Sequence, residues 1–167
     1  MHKNVAINVL TWNDWKNTIV CLESIYQSNY DNFDIILIDN NSDKLHLEKI
    51  YDWSKNKIQV EDEEFKFDPH KQINIIEVDE NYKKSMLGKK KIYLIKSKTN
   101  IGLTAGLNLG YKFCVNQNYD YISRIDCDFI ITKNYLKGMV NTLENNKNVV
   151  AASPKIKHAY LRHTVWW

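Results

Sequence analysis

The chain has 167 residues, a length at which one domain can bury a large share of its surface, and we predict a single domain over residues 1–167. Hydrophobic residues make up 44% and charged residues 26% of the sequence, which excludes a disordered chain. The net charge of +3 arises from interleaved acidic and basic residues without a nucleic-acid-reading motif, so we expect no nucleic-acid partner.

The cysteines and the N-terminus indicate the cellular compartment. Cys21, Cys114 and Cys127 are odd in number and far apart, which matches neither a disulfide framework nor a zinc spacing. The apolar run that begins at Val5 has about six residues, too short for a signal-peptide core or a membrane span. We therefore expect a cytoplasmic protein, with an association at the inner face of the membrane left open.

The first half of the chain alternates between strand and helix patterns. Val5–Thr11 and Phe33–Asp39 are apolar and rich in β-branched residues, which is typical of buried strands. Asn13 or Asp14 can cap a helix after the first strand, and the turn Asn40–Asp43 leads into a second helix. This order predicts an α/β domain with a mostly parallel sheet flanked by helices.

The second half begins with an irregular region at about 55–91, which we interpret as an insertion or an elaborated crossover around a short strand at Ile73–Val78. Regular elements then resume as strand Ile92–Ile95, a helix after Asn100, strand Tyr119–Ile125, a helix carrying Leu136 and Leu143, and a short strand at Val149–Ala152.

Four polar clusters follow the carboxyl ends of predicted strands. They are Thr11-Trp12-Asn13, Asp39-Asn40, Asn100-Ile101-Gly102 and Asp126-Cys127-Asp128. In open parallel sheets, ligands bind beyond this edge because loops and helix N-termini converge there. The sequence therefore predicts a ligand site made of these four clusters.

Asp126 and Asp128 are two residues apart at a strand end, where both carboxylates can approach one point. Mg²⁺ and Mn²⁺ prefer oxygen ligands and commonly bind through one or two carboxylates and the phosphates of a substrate. The pair is a candidate metal site that would stabilise a diphosphate leaving group, and a solvated acidic turn is the alternative. We interpret Cys127 as a packing residue.

Two further motifs each have two interpretations. Asp39 can accept hydrogen bonds from a pyrimidine N–H or a ribose hydroxyl, or it can stabilise the turn that follows it. The three glycines of Asn100–Gly110 either let the backbone approach an anionic ligand or pack a helix tightly on the sheet. The motif is not the dinucleotide fingerprint, which would follow the first strand.

Taken in order, these motifs resemble glycosyltransferase family 2, which has the GT-A (Rossmann-like) fold. The resemblance is carried by Val5–Asn13, Thr18 with Cys21–Ser24, Ile36–Ser42, Asn100–Gly110 and Arg124–Asp128. It looks most like the rhamnosyltransferase-like subgroup of surface-polysaccharide enzymes. The part covered is the N-terminal, donor-binding portion of the family.

The resemblance implies a metal-dependent, inverting transfer of a sugar from a nucleoside-diphosphate sugar to a hydroxyl of a saccharide or lipid-linked acceptor, in polysaccharide or glycoconjugate synthesis. It implies Mn²⁺ or Mg²⁺ as cofactor, with Asp128 as the first and Asp126 as the second ligand. It implies nucleotide-sugar contacts from Thr11, Trp12, Asn13, Asp39, Asn41, Asn100, Gly102, Arg124 and Asp126. The Arg124 side chain meets a phosphate or pairs with a neighbouring carboxylate.

The family's catalytic base lies in the acceptor half, so we expect it beyond Trp167 and expect the chain to be truncated before the acceptor-binding region. His158 and His163 lie where a late histidine ligates the metal in some relatives, although surface or packing roles suit their spacing. Two other functions remain open: a nucleotidyltransferase, whose Gly-rich basic loop after the first strand is absent here, and a non-catalytic nucleotide-sugar-binding module.

Overall fold

The structure, a computed structural model, describes residues 3–61, 66, 72–79, 82, 88–157 and 165–166. Its elements, in chain order, are β1 (Val5–Thr11), α1 (Trp15–Tyr26), β2 (Phe33–Asp39), α2 (Lys44–Ser54), β3 (Ile75–Glu77), β4 (Ile92–Lys96), α3 (Gly102–Asn116), β5 (Tyr121–Arg124), α4 (Tyr135–Asn145), β6 (Ile156–Lys157) and β7 (Val165–Trp166). No helix in this described part has the length and apolar character needed to cross a membrane.

The central sheet has five parallel strands in the order β3-β4-β2-β1-β5. β1 pairs with β2 along its whole length, from Val5 opposite Phe33 to Thr11 opposite Asp39, and it pairs with β5 on its other side. Strand order therefore reverses at β1, which creates a switch point between the carboxyl ends of β1 and β5. The predicted α/β fold with a mostly parallel sheet is confirmed.

Both faces of the sheet are covered by helices. Because side chains alternate along a strand, Val5, Ile7 and Val9 of β1 pack on the face that carries α1, α2 and α4. Ala6, the neighbour of Val5, packs on the opposite face with Phe113 of α3. Burial on both faces explains why the strands are almost continuously apolar.

α3 approaches β1 closely because glycines lie at the contact points. A Cβ at Gly106 would be 2.6 Å from Leu10 Cδ1, and one at Gly110 would be 2.1 Å from Asn8 Oδ1. Asn8 also donates from Nδ2 to the carbonyl of Leu107 at 3.1 Å, so a buried hydrogen bond joins the two elements. Tight packing is thus the role of these two glycines.

The predicted strand at Val149–Ala152 is wrong. These residues form a bend and irregular chain, and Val150 is 95% exposed, because no described strand lies beside them. The last strand pair is instead Ile156–Lys157, antiparallel to Val165–Trp166. A short apolar run predicts a strand only where a neighbour can accept its backbone hydrogen bonds.

Other predicted boundaries change by one or two residues. β5 begins at Tyr121, where pairing with β1 starts opposite Val5, and β3 is limited to Ile75–Glu77. Of the predicted insertion at 55–91, residues 62–65, 67–71, 80–81 and 83–87 lie outside the described residues.

Asp34 of β2 holds the chain that leads into β4, at the amino edge of the sheet. Its fully buried carboxylate accepts the backbone N–H of Gly88 at 2.8 Å and those of Lys89 and Lys91 at 3.1 Å. The hydroxyl of Tyr119 donates to the same carboxylate at 3.0 Å. The Asp34 carboxylate stabilises this edge, because without it these four donors would have no acceptor at this position.

We expect Asp34→Ala to lower the free energy of unfolding by about 3 kcal/mol, since it removes the common acceptor of these donors. Urea denaturation measures the change. Asp31→Ala is the control, because Asp31 is an exposed carboxylate paired with Lys90 and its loss should cost less than about 1 kcal/mol. Equal losses in the two variants would contradict the anchoring role of Asp34.

Candidate functional site

The turns that follow β1 and β2 form one hydrogen-bonded unit. The Asn40 N–H donates to the carbonyl of Thr11 at 3.0 Å. The Asn13 N–H donates to Ser42 Oγ at 3.0 Å, and Asn13 Oδ1 accepts the N–H of Asp43 at 2.7 Å. These contacts bring the predicted first and second clusters together at the carboxyl edge.

Asn13 and Asn41 occupy the left-handed region of backbone space, with φ of 52° and 63°. Asparagine tolerates this region better than most residues do, which explains its use at both positions. Both predicted residues therefore shape the turns, whatever they bind.

Asp39 ends β2 and is 2% exposed. Its Oδ1 accepts the N–H of Ser42 at 3.2 Å, and its carbonyl accepts the N–H of Ser97 at 2.8 Å. The side chain therefore stabilises the turn, as one of the two sequence interpretations predicts. Its second oxygen keeps the capacity to accept a hydrogen bond from a ligand.

Asn40 joins the end of β2 to the start of α3. Asn40 Oδ1 accepts the N–H of Ile101 at 3.0 Å, and Asn40 Nδ2 donates to Asn100 Oδ1 at 2.9 Å. Asn100 Oδ1 also accepts the N–H of Gly102 at 2.9 Å. The third predicted cluster thus lies beside the second, and the buried Asn40, a member of the second cluster, is the link between them.

Gly102 differs from the packing glycines of α3. Its φ is +78°, a conformation that favours glycine, and the position of a Cβ has no atom within 4 Å. Residues 101–105 are exposed, so the first turn of α3 opens at the carboxyl edge. The N–H groups of a helix start favour a negatively charged group there.

The loop after β5 reaches the same edge from the other side of β1. Arg124 donates from Nε to Asp126 Oδ1 at 2.9 Å and from Nη2 to Asp126 Oδ2 at 3.2 Å. This bidentate pair is partly exposed and engages both oxygens of Asp126. Of the two roles predicted for Arg124, the structure contains the pairing with a neighbouring carboxylate.

The cysteines show that this loop lies beside the first half of α1. The buried Cys21 thiol donates to the carbonyl of Asp126 at 3.6 Å. Burial and the carboxylates of Asp128 and Asp14 raise the pKa of the Cys127 thiol to about 11, and a hydrogen bond with Thr18 opposes them. Because Asp14 and Thr18 follow β1, the fourth cluster faces the first across the switch point.

Asp128 is better placed than Asp126 to bind a cation, because it is exposed and Asp126 is held by Arg124. Among the described residues, no three His, Cys, Asp or Glu side chains surround a common point that would hold a metal. A cation here would take one or two carboxylates of the chain and fill its shell with phosphate oxygens and water, as Mg²⁺ and Mn²⁺ commonly do. The residues fit that arrangement; the predicted candidates His158 and His163 lie outside the described residues.

Thr11 is 1% exposed, and its hydroxyl belongs to a hydrogen-bond chain inside the protein. The Thr18 hydroxyl donates to the carbonyl of Asp14 at 2.6 Å, so it accepts from Thr11, which lies 2.6 Å away. The single hydroxyl proton of Thr11 therefore points to Thr18, and Thr11 can only accept from His46. His46 Nε2 must then donate to Thr11 Oγ1, which lies 3.1 Å away. His46 therefore carries its proton on Nε2.

His46 is a site residue that the sequence did not reveal. It is 1% exposed, and its Nδ1 is a buried acceptor without a hydrogen-bond partner among the described residues. Its ring contacts Thr11, 35 positions earlier in the chain. A polar residue in the first turn of a helix resembles many solvated residues, so no local signal distinguishes it.

His46 should make stability depend on pH. Burial lowers the pKa of His46 below 6.5, an effect that the carboxylates of Asp39, Asp43 and Asp14 only partly oppose. His46 then binds a proton more readily in the unfolded chain than in the folded one. The contribution of neutral His46 to the free energy of unfolding is therefore fully present above pH 6.5 and is lost as the pH decreases toward the folded pKa. We expect the free energy of unfolding, measured by urea denaturation, to fall less in His46→Gln than in wild type between about pH 7.5 and pH 5. The same pH dependence in both proteins would contradict this prediction.

Exposed apolar side chains border the same edge. Trp12 after β1 is 54% exposed, Leu45 at the start of α2 is 52% exposed, and Leu103 at the start of α3 is 57% exposed. An exposed indole can stack on a planar base, which is consistent with the position predicted for Trp12. A cavity of about 460 Å³ near Tyr51 and Ile73 is lined by none of the residues predicted to bind the nucleotide sugar or the metal.

A parallel sheet with polar loops converging at a switch point, and an acidic loop beside it, form an α/β domain with the arrangement that the resemblance to the GT-A fold implies. The family model described as Glycosyl transferase family 2 matches residues 74–164, more than half of the chain, and the chain belongs to this family. The matched segment includes the third and fourth clusters, whereas Thr11 and Asp39 precede it. The resemblance is confirmed at the level of the family.

Solved structures have the same fold. TarS from S. aureus is 16% identical with a TM-score of 0.57, over 85% of this chain and 20% of that chain. TarS 1–349 in complex with UDP is 16% identical with a TM-score of 0.58, over 86% and 33%. The mannosyltransferase PcManGT from Pyrobaculum calidifontis, in complex with GDP-Man and Mn²⁺, is 14% identical with a TM-score of 0.59, over 93% and 34%.

These identities establish the fold alone, and the chain spans 20% to 34% of the length of these solved chains. No curated protein sequence matches the chain.

Proposed function

We propose that this chain is the donor-binding part of a glycosyltransferase that moves a sugar from a nucleoside-diphosphate sugar to an acceptor hydroxyl. The observation that carries the proposal is the meeting of polar loops at the switch point. The turns after β1 and β2 are hydrogen-bonded to each other, and the Asp126–Asp128 loop contacts α1 at Cys21. Membership of glycosyltransferase family 2 supports it.

The nucleoside would bind over the turns after β1 and β2. Asp39 would accept a hydrogen bond from a base N–H or a ribose hydroxyl, and Trp12 would offer its exposed ring for stacking. Asn13 and Asn41 would shape the pocket through their left-handed backbone conformation. The buried Thr11 would stabilise the pocket through its hydrogen bond with His46. The role of Thr11 is thus indirect, because its hydroxyl is already engaged.

The diphosphate would lie toward the start of α3 and the loop after β5. The exposed first turn of α3, with Asn100 and Gly102, favours negative charge through its N–H groups. Asp128 would bind Mn²⁺ or Mg²⁺ directly, with Asp126 second, because Arg124 occupies Asp126. When bound, the cation would neutralise charge on the departing diphosphate. The UDP complex of TarS and the GDP-Man and Mn²⁺ complex of PcManGT support a donor of this kind.

The finer features rest on the resemblance. Transfer would be inverting, with a base of the family's acceptor half deprotonating the acceptor hydroxyl. The acceptor would be a saccharide or a lipid-linked acceptor. The enzyme would resemble the rhamnosyltransferase-like subgroup and would act in the synthesis of a polysaccharide or glycoconjugate. The reaction would take place in the cytoplasm, at the inner face of the membrane where the acceptor is lipid-linked.

Calorimetric titration of UDP, dTDP and GDP, each with and without Mn²⁺, tests the proposal. We expect one of the three to bind more tightly when Mn²⁺ is present and to raise the melting temperature in proportion to the logarithm of its concentration. The absence of metal-dependent binding for all three would favour a non-catalytic module. A preference for nucleoside triphosphates would favour a nucleotidyltransferase instead.

A further inference from the structure

His46 lies where three elements of the proposed nucleoside pocket meet. It belongs to the first turn of α2, and its backbone N–H donates to Asp43 Oδ1 at 2.8 Å. Its ring reaches Thr11 at the end of β1, and Asp39 at the end of β2 has the largest effect on its pKa among the nearby carboxylates. The buried ring thus links α2, which follows the second turn, to Thr11, which precedes the first.

The hydrogen bonds of this junction have a fixed direction. They run from His46 Nε2–H to the Thr11 hydroxyl, from Thr11 to Thr18, and from Thr18 to the carbonyl of Asp14, which caps α1. Reversing the chain would turn the Thr18 proton toward Thr11 and leave Thr18 Oγ1 and the Asp14 carbonyl oxygen 2.6 Å apart without a proton between them. The ring must therefore act as a donor to Thr11.

We propose that His46 is a positioning residue for the nucleoside: as an Nε2–H donor it fixes Thr11 and holds the turns after β1 and β2 in the arrangement that receives the base and ribose. This role rests on the proposed function. The residue acts through Thr11 and the turns, since its own ring is almost inaccessible.

Two variants separate the hydrogen bond from the packing of the ring. His46→Gln keeps an N–H donor at about the reach of Nε2, whereas His46→Phe fills the space without a donor. The two turns remain joined through Asn13, Ser42 and Asp43, so both variants should fold. Urea denaturation verifies this before binding is measured.

The test titrates UDP, dTDP and GDP into the 167-residue wild-type chain, then uses the tightest of them and its monophosphate as probes for the variants. We expect His46→Phe to weaken both probes by a similar factor, about fivefold to tenfold, because one hydrogen bond is lost on the nucleoside side. His46→Gln should stay within about twofold of wild type. Asp128→Ala, by contrast, should affect only the Mn²⁺-dependent affinity for the diphosphate.

Wild-type affinity in His46→Phe would overturn the positioning role and leave the proposed function standing. Equal weakening in His46→Gln and His46→Phe would also overturn it, because the shape of the ring would then matter rather than its donor. A wild-type chain that binds no nucleotide would overturn the proposed function and this role together. Nitrogen NMR of the imidazole adds a measurement that needs no nucleotide: protonation at Nε2 is expected, and protonation at Nδ1 alone would overturn the proposal.

Discussion

Asp128→Ala is expected to remove the Mn²⁺-dependent part of the affinity for a nucleoside diphosphate, a loss on the order of 100-fold. The carboxylate is exposed at the carboxyl edge, and its neighbour Asp126 is engaged by Arg124. Asp128 is thus the carboxylate of this loop that is open to a cation. Because it lies outside the core, its removal should change stability by less than about 0.5 kcal/mol.

Calorimetric titration of the nucleotide with and without Mn²⁺ measures this effect. Asp31→Ala is the control: it also removes one exposed carboxylate, but at the start of β2, at the opposite edge of the sheet. The control should keep the Mn²⁺ effect. A Mn²⁺ effect in Asp128→Ala as large as in wild type would rule out Asp128 as the metal ligand.

Gly110→Ala is expected to lower the free energy of unfolding by about 3 kcal/mol. The new Cβ would lie 2.1 Å from Asn8 Oδ1, and Asn8 is fully buried in β1 with its Nδ2 bonded to α3. The short Asn8 side chain has little room to move, so α3 must shift from the sheet.

Gly138→Ala is the matched control, because Gly138 is also helical and a Cβ there would meet no atom within 4 Å. Alanine favours helix by about 0.8–1.0 kcal/mol over glycine, so this variant should be neutral or more stable. Denaturation of the two variants side by side compares them. A Gly110→Ala protein as stable as Gly138→Ala would mean that α3 does not depend on glycine to approach β1.

The sheet and the meeting of the four polar clusters at its carboxyl edge could be predicted from sequence because they depend on local patterns. Continuous apolar runs such as Phe33–Asp39 identify buried parallel strands, and polar residues at strand ends identify the edge where ligands bind. Parallel strands bring their carboxyl ends together whatever the details of the loops. The meeting of the four clusters therefore followed from general rules.

The linking residues could not be predicted, because their partners are distant in the chain. Asp34 bonds to Gly88, 54 positions later, and Asn40 bonds to Asn100, 60 positions later. Nothing beside Asp34 in sequence distinguishes a buried carboxylate with four donors from a charge on the exposed face of a strand. The glycines of Asn100–Gly110 could either let the backbone approach a ligand or pack the helix on the sheet. Only the distance from α3 to β1 separates these two interpretations.

The central claim, that a cation binds beside Asp128 at the switch point, is tested most directly by NMR with Mn²⁺ and the bound nucleoside diphosphate. Paramagnetic broadening should be strongest for the backbone amides of residues 126–128 and 12–14. The amides of residues 88–91, at the amino edge, should stay sharp. Broadening centred on the amino edge, or none localised near Asp128, would contradict the account.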